Sequence, residues 1–558
     1  MEKLETYSLF SRYDAINIAL KRLKKQLVIS PLSLFLLTAV FIILVANSVF
    51  FTKLTAVYPW QEHITFIVSL SLLTIALTCL LMLLLNVILP AKVVVITLLL
   101  ISALVDYYAV AFGVLIDKTM LQNIAETDIA EAKDIITLSL GAKVLLLAIL
   151  PSVILCQFQL KSISRLLSLR QQALSILAII IIIPLLIAPF SAQYSSFFRL
   201  HKELRYYTNP LFPIYSTFSY AANTLSSAHK KEFVRLTQYI EKNSTTKQPK
   251  LMILVVGETV RADHFALNGY QRDTTPNLSQ QPDLINFSNV SSCGTSTAVS
   301  VPCMFSFSGR EDFDINSAKT TENVLDVLAT SGVSVIWRDN NSSSKGAADR
   351  LTYQSYRSSD VNTECDVECR DLGMLVGLQQ YINQQNQDTL IVLHQMGNHG
   401  PAYYKRYPAS FEFFTPACQS AELSDCSKDE IINAYDNAIR YTDHFLAEVI
   451  GLLKANSAQY NTVMLYVSDH GESLGENGLY LHGMPYSFAP KAQTHIPMVA
   501  WFLAPYIDAE KTKTHQRHPY SHDALSSTLL SLFEVSTDLD LPKDISSTLF
   551  YFKTDVGH

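Results

Sequence analysis

The sequence has no excess of basic residues: 43 Lys and Arg stand against 49 Asp and Glu, for a formal net charge of −6. Binding to a polyanion needs clustered cations that displace its counterions. A nucleic-acid partner is therefore disfavoured. No internal repeat and no low-complexity tract is present. Carboxylates are nearly missing from the long apolar runs, where Asp106 is the only one well inside. A transporter lined with paired polar groups would need more of them. Cysteine pairs spaced C-x-x-C are absent, which removes the usual spacing of a cysteine zinc site.

Apolar residues, by contrast, make up 49% of the 558, and they are concentrated near the start. Runs at Leu27–Phe51, Thr65–Leu89, Val93–Ile116, Leu138–Leu160 and Leu174–Pro189 each approach the ~20 residues that cross a bilayer as helix. Five spans are expected over residues 1–194. The first run is longer than a signal-peptide core and lacks a small-x-small cleavage site, so it is expected to stay attached. The Lys21-Arg22-Leu23-Lys24-Lys25 cluster and the loop with Lys161, Arg165 and Arg170 fall on one side of a five-span topology. Basic residues mark that side as cytoplasmic. Everything after about residue 195 is then expected on the opposite face, which in a Gram-negative cell is the periplasm.

The remaining cysteines agree with export. Cys79 and Cys156 lie in predicted spans, where they read as small buried hydrophobes. The other six are near neighbours, Cys293 with Cys303, Cys365 with Cys369 and Cys418 with Cys426. Three local disulfides suit an oxidising compartment.

Between the third and fourth runs, residues 117–136 form a polar, helical stretch on the exported side. Asn123, Thr127 and Glu131 are spaced to share one helix face. That stripe reads either as a solvated face or as a reader of lipid headgroups. Residues 195–249 read as an interfacial bridge, rich in Tyr and Phe that settle at headgroup level. From residue 250 to 558, short β-rich runs alternate with helical stretches, which predicts a parallel sheet covered on both faces. The predicted strands are Leu251–Val256, Val333–Trp337, Thr389–His394, Thr462–Val467 and Ile496–Phe502. Ligand sites of open α/β sheets gather beyond the carboxyl ends of strands. Four strand tails are polar: Gly257-Glu258-Thr259, Arg338-Asp339-Asn340-Asn341, His394 to His399, and Ser468-Asp469-His470-Gly471.

Glu258, Asp469 and His470 are hard and borderline ligands of the number and type that suit zinc with one position open. The hydroxyl-rich segment from Ser291 to Cys303 offers a nucleophile for that position, because a bound zinc lowers the pKa of a coordinated hydroxyl. Spacing does not choose between these hydroxyls, and the segment also reads as a capped helix N-terminus. His394 and His495, at strand ends, read as structural rings.

The motifs Gly257-Glu258-Thr259-x-Arg261-Ala262-Asp263, Cys293-Gly294-Thr295-Ser296-Thr297-Ala298-x-Ser300-Val301-Pro302-Cys303-Met304-Phe305, Trp337-Arg338-Asp339-Asn340-Asn341 and Ser468-Asp469-His470-Gly471-Glu472-Ser473-Leu474-Gly475-Glu476 together resemble the phosphoethanolamine transferases that modify lipid A. The resemblance covers nearly the whole chain, and the mobile colistin-resistance enzymes share it. It implies a five-span α-helical membrane domain joined to an α/β domain of the alkaline phosphatase and sulfatase type. It also implies transfer of phosphoethanolamine from phosphatidylethanolamine to a lipid A phosphate, with loss of negative charge and resistance to polymyxins such as colistin.

Carried over by position, the family pattern implies a catalytic zinc on Glu258, Thr297, Asp469 and His470, with Thr297 as nucleophile. A second zinc during turnover is compatible with it. Lys345, His399 and His482 fall to the phosphoryl group, and Asn123, Thr127, Glu131, Asn341 and Ser342 to the ethanolamine side. An inner-membrane monomer facing the periplasm is expected. Some relatives carry further cysteines beside the lysine, where this chain has Ser344-Lys345-Gly346-Ala347-Ala348. The C/S-x-P-x-R context of a sulfatase formylglycine does not occur in the nucleophile segment. A phosphoglycerol transferase or a simple phosphohydrolase would keep the metal site without needing the Asn123 stripe.

Overall fold

The computed structural model describes residues 28–127, 129–161, 164–227, 232–243, 246–541 and 546–553. The chain forms two compact units, one of residues 1–117 and 136–218, the other of residues 118–135 and 219–558.

Helices in the first unit follow the apolar runs. Among the described residues, four are long and apolar enough to cross a membrane: Trp60–Leu85, Ala91–Phe112, Leu138–Gln157 and Leu166–Leu200. The first run becomes a bent pair, Pro31–Val45 and Ser48–Val57, with 61° between them, and makes a fifth span if counted as one. Ser30 caps the first member, its Oγ accepting from Ser33 N–H at 3.0 Å, with Pro31 at the first helical position.

A break in a helix leaves backbone groups without partners, which is costly in an apolar medium. Here Asn47 and Asn209 close it. Asn209 N–H donates to Asn47 Oδ1 and Asn47 Nδ2 to the Asn209 carbonyl, both at 2.9 Å, while Asn209 Nδ2 donates to the carbonyls of Ala46 and Ser102. Asp106, buried in its helix, pairs with Lys143 at 2.6 Å. Val28–Ile29 pairs with Gln159–Leu160, so the start of the first run lies beside the end of the fourth. The Lys21–Lys25 cluster lies outside the described residues.

The core of the second unit is an eight-stranded sheet: β1 (Lys250–Gly257), β2 (Ile285–Ser291), β3 (Ser334–Asp339), β4 (Thr352–Ser355), β5 (Thr389–His394), β6 (Asn461–Ser468), β7 (His495–Leu503) and β8 (Tyr520–Ser521). Their order across the sheet is β8-β2-β7-β6-β1-β5-β3-β4. β1 pairs in parallel with both β5 and β6, in register from Leu251 opposite Thr389 and Lys250 opposite Asn461. All eight of its residues are buried, the pattern of a strand covered on both faces.

The sheet is mixed, which corrects the all-parallel expectation. β7 runs antiparallel to both β6 and β2. The physical cause is the connection: β6 and β7 are joined without a full crossover helix, and only a crossover returns the chain for parallel pairing. β2, β4 and β8 escape the sequence reading. β2 alternates Ile, Phe and Val inward with Asn and Ser outward, and β4 is largely exposed.

Four helices matter for the site: α1 (Lys118–Glu126), α2 (Ile129–Ile135), α3 (Thr297–Met304) and α4 (Lys428–Asn456). The stretch expected as one helix is thus two. Thr127 Oγ1 donates to the Asn123 carbonyl at 2.7 Å, a local bond that competes with helix propagation. α4 opens on a capping box of Ser427 and Glu430 and buries an apolar face with Phe445, Leu446 and Val449.

Candidate functional site

Carboxyl ends of β1, β2, β3, β5 and β6 gather at one edge of the sheet. β1 delivers Glu258, β3 Asn341, β5 the Gln395–His399 segment and β6 Asp469-His470. β2 delivers the Ser292-Cys293-Gly294 approach to α3. β7 reaches the same edge by its first residues, so that the Gln493 carbonyl accepts from Gly471 N–H at 3.0 Å.

Three buried groups converge there. Ligand atoms of Glu258, Asp469 and His470 all lie within 4.8 Å of one another, and the three residues are 0% exposed. Asp469 Oδ1 accepts from the N–H groups of Thr259 at 3.0 Å and His470 at 2.7 Å. Asp469 Oδ2 is buried and has no hydrogen-bond partner among the described residues. His470 Nδ1 donates to the Gly471 carbonyl at 2.8 Å, which leaves the Nε2 lone pair facing the cluster, 3.2 Å from Asp469 Oδ2. Burial, then the neighbouring His482 ring, hold the His470 pKa well below its usual range. Burial raises the Asp469 carboxyl, offset in part by its N–H donors.

A neutral imidazole and two carboxylates around an orphaned oxygen form a donor set that fits a zinc ion. The carboxylates would otherwise repel one another in a dry site.

Geometry distinguishes the hydroxyls that spacing left open. Thr297 Oγ1 lies 3.1 Å from both oxygens of Glu258 and 3.3 Å from His470 Nε2. Thr295 Oγ1 instead donates to the Met484 carbonyl at 2.6 Å, Ser292 Oγ to the Gly294 carbonyl, and Ser300 Oγ accepts from Gly294 N–H. Thr297 is the first residue of α3, whose leading N–H groups have no partner within the helix and favour an anion. The disulfide Cys293–Cys303 ties the approach of this helix to its last turn. His522, also buried, accepts from Cys293 N–H through Nδ1 at 3.0 Å and donates from Nε2 to the Ser468 carbonyl at 2.9 Å.

Above this cluster lies a small cavity of about 50 Å³ lined by Asn123, Glu126, Thr127, Ser296, Thr297, Ala298, Ser342, Lys345, His399 and His482. It brings together seven of the residues singled out in the sequence. Lys345 Nζ donates to Ser342 Oγ at 2.7 Å and lies 3.5 Å from the Glu126 carbonyl. Asn341 sits behind the cavity, its Nδ2 donating to Glu258 Oε2 at 2.7 Å and to the Gln395 carbonyl at 2.9 Å. The Glu131 side chain lies outside the described residues.

His482 Nδ1 pairs with Glu472 Oε2 at 2.8 Å, and Tyr403 donates to the other oxygen of Glu472. His470, Glu472 and His482 form a second compact group. Burial, followed by the nearby His482 and Arg406, pushes His399 well below its usual pKa.

Sequence reasoning missed Glu126, Glu472 and His522. Glu126 lies three residues after Asn123, a helical-face spacing that carried a signal, and it pairs with Lys319 at 2.9 Å. Nothing local marks His522, which reaches the site from 52 residues beyond His470. His394 and His495 are hydrogen-bonded within the fold, to Asp339 at 2.9 Å and to the Ser288 carbonyl at 3.0 Å. The other exported cysteines pair as Cys365–Cys369 and Cys418–Cys426.

Residues 73–225 match the family model described as phosphoethanolamine transferase EptA/EptB, and residues 250–535 the sulfatase model. The chain is 45% identical to phosphatidylethanolamine transferase Mcr-2 of Escherichia coli, over 91% of this chain and 96% of the relative. It is 43% identical to Mcr-1 of the same species, with the same coverage. Among solved structures, the integral membrane protein lipooligosaccharide phosphoethanolamine transferase A of Neisseria meningitidis superposes with a TM-score of 0.87 at 32% identity, over 92% of this chain and 97% of that one.

Proposed function

We propose that this chain, which belongs to the phosphoethanolamine transferase family, moves phosphoethanolamine from phosphatidylethanolamine to a lipid A phosphate by way of a covalent Thr297 intermediate. The observation that carries the reading is the position of Thr297 Oγ1, within 3.3 Å of Glu258 and His470 and at the start of α3.

Glu258, Asp469, His470 and Thr297 Oγ1 would hold one zinc ion. When bound, it would supply positive charge that favours the ionised hydroxyl and offsets charge on the phosphoryl oxygens. The Thr297 oxygen attacks phosphorus, and the bond from phosphorus to the glyceryl oxygen breaks. Diacylglycerol leaves once its oxygen has taken a proton. His482, whose ring is held through Nδ1 by the Glu472 carboxylate, suits that role, whereas the surroundings of His399 disfavour charge.

Lys345 neutralises the phosphoryl oxygens together with the leading amides of α3. Asn123, Thr127 and Ser342 line the ethanolamine side, Glu131 falls to it by the family resemblance, and Asn341 acts there by bracing Glu258. In the second step an oxygen of the acceptor phosphate attacks the same phosphorus and releases the Thr297 oxygen. The added amine lowers the negative charge that cationic polymyxins require.

Residues 1–194 would anchor the chain in the inner membrane, 195–249 bridge, and 250–558 form the periplasmic catalytic domain, in a monomer that binds no nucleic acid. Exposed Tyr215, Phe218 and Leu225 on the Leu211–Ser227 helix suit an interfacial bridge.

The test is to incubate the full chain with phosphatidylethanolamine without acceptor and map the modified peptide by mass spectrometry. Phosphoethanolamine on Thr297 is expected. Undiminished diacylglycerol release by Thr297→Ala would refute the mechanism.

A further inference from the structure

Buried polar atoms in a folded protein are nearly always paired, so those left alone in a cavity mark what the cavity receives. Residues lining the cavity over Thr297 carry four such atoms: Asn123 Oδ1, Glu126 Oε2, Ser296 Oγ and His399 Nδ1 are shielded from solvent and have no hydrogen-bond partner among the described residues. A hydroxyl or an imidazole nitrogen can donate or accept. The amide oxygen and the carboxylate oxygen can only accept. Asn123 and Glu126 stand three residues apart on α1, a spacing that puts both on one face. Whatever satisfies them must donate to two neighbouring oxygens.

The other half of the Glu126 carboxylate is fixed. Its Oε1 accepts from Lys319 Nζ at 2.9 Å and from Gln122 Nε2 at 3.2 Å. The Lys319 stem lies against Gly346, where a Cβ would come 2.6 Å from Lys319 Cγ. An ion pair with Lys319 therefore accounts for Oε1 alone. It leaves Oε2 dry and unpaired, which is costly until a donor arrives. Lys345 is not that donor: its Nζ donates to Ser342 Oγ at 2.7 Å and lies 3.5 Å from the Glu126 backbone carbonyl.

Charge and size narrow the ligand. Among the described residues that line the cavity, Glu126 is the only carboxylate and Lys345 the only ammonium. That pair complements a zwitterion, with its anionic end at Lys345 and its cationic end at Glu126. A space of about 50 Å³ admits a primary ammonium, which has an N–H for each acceptor. A quaternary ammonium has no N–H to give and brings methyl groups in their place.

We propose that Glu126 is the carboxylate that selects a primary ammonium in the donor headgroup, its Oε2 accepting one N–H and Asn123 Oδ1 another. For its role in turnover the proposal rests on the transfer reading above, and for its ligand on the two unpartnered acceptors. Glu131, which the family resemblance places on the ethanolamine side, is then not the residue on which this selection depends.

Calorimetry on the full chain in detergent tests the ligand without any transfer step. The probes are O-phosphoethanolamine, propyl phosphate, which lacks the ammonium, and phosphocholine. The unaltered chain is expected to bind the first about tenfold more tightly than either of the others. E126Q keeps the shape of the side chain and an acceptor for Lys319, and it should bring the three probes within about threefold of one another. K319M removes the ion pair but leaves the carboxylate, so the preference should persist. Equal binding of the three probes by the unaltered chain overturns the proposal, as does a full preference in E126Q. Loss of the preference in K319M to the same extent as in E126Q shows a strap rather than a reader and also overturns it. A preference lost in E131Q and kept in E126Q assigns the selection to Glu131 instead.

In turnover, E126Q is expected to raise the KM for phosphatidylethanolamine about tenfold and to narrow its preference over phosphatidylcholine. An unchanged KM and an unchanged preference overturn the role. If the unaltered chain cleaves neither lipid, the transfer reading fails, whereas the calorimetry still decides the ligand.

Discussion

Nδ1 of His522 accepts a hydrogen bond from the backbone N–H of Cys293 at 3.0 Å. Through its other nitrogen the same ring holds the Ser468 carbonyl, so one side chain ties the approach to α3 to the strand that ends in Asp469. Removing it leaves a buried donor and a buried acceptor unpaired, at about 1–3 kcal/mol each. His522→Ala is expected to lower the unfolding free energy by about 2–5 kcal/mol and to slow turnover. His522→Asn, whose amide oxygen can still accept from Cys293, should recover part of both. Denaturant unfolding and diacylglycerol release check this together.

Burial pushes His522 from an ordinary value of 6.5 down to about 4. The unfolded chain therefore binds an extra proton between those pH values. Stability contributed by the neutral ring is complete above about pH 6.5 and is lost as pH falls toward 4, by up to about 3 kcal/mol. Neutral His399 and His470 act in the same direction, so the informative quantity is a difference. The pH slope of unfolding for His522→Gln should be smaller than that of the unaltered chain by up to one proton over this window. Equal slopes would sink the assignment.

Glu258, Asp469 and His470 are legible from their strand-end positions, because β1 and β6 are long, apolar and bounded by polar tails. Thr297 is not, since several hydroxyls share its segment; the choice follows from which one the fold turns toward Glu258. β2 is hidden by its Asn and Ser residues, and with it the reason why the hydroxyl-rich segment before α3 starts at the same sheet edge. His522 is hidden because its partners are backbone groups far away in sequence. The reversed direction of β7 depends on how the chain returns after β6, which a pattern of alternating residues does not encode.

Removal of metal is expected to abolish diacylglycerol release while leaving the folded domain in place. One zinc per chain should return on reconstitution, as measured by elemental analysis. Glu258→Gln replaces one charged donor and should lower zinc retention at least tenfold. Full zinc content in that variant would argue against Glu258 as a ligand.

Gly397 has φ of +50°, and a Cβ there would lie 2.9 Å from the Glu258 carbonyl oxygen and 3.0 Å from Glu258 Cβ. Gly397→Ala should therefore cost about 1–3 kcal/mol of backbone strain and displace Glu258. The expected signature is reduced stability together with reduced zinc affinity. A variant that loses stability and keeps zinc would show that the strand end yields elsewhere.

Asp106 is buried and paired with Lys143. Lys143→Met leaves that carboxylate without its partner, a change that costs about 3–5 kcal/mol in a buried pair. Lower yield of folded protein in detergent is expected. The double change with Asp106→Asn should restore most of it, because the charge is gone from both sides.

Residues 118–135 pack with the second unit although they are inserted between helices of the first. The polypeptide thus passes from one unit to the other three times, at 117/118, 135/136 and 218/219. A protease that cuts once near residue 219 would release residues 219–558 without the strip carrying Asn123, Thr127 and Asp134. That fragment would keep Glu258, Thr297, Asp469 and His470 but lack one wall of the cavity over Thr297. The chain is in this sense woven rather than joined, and the cavity over Thr297 is walled only with a ribbon of sequence that connects helices of the other unit.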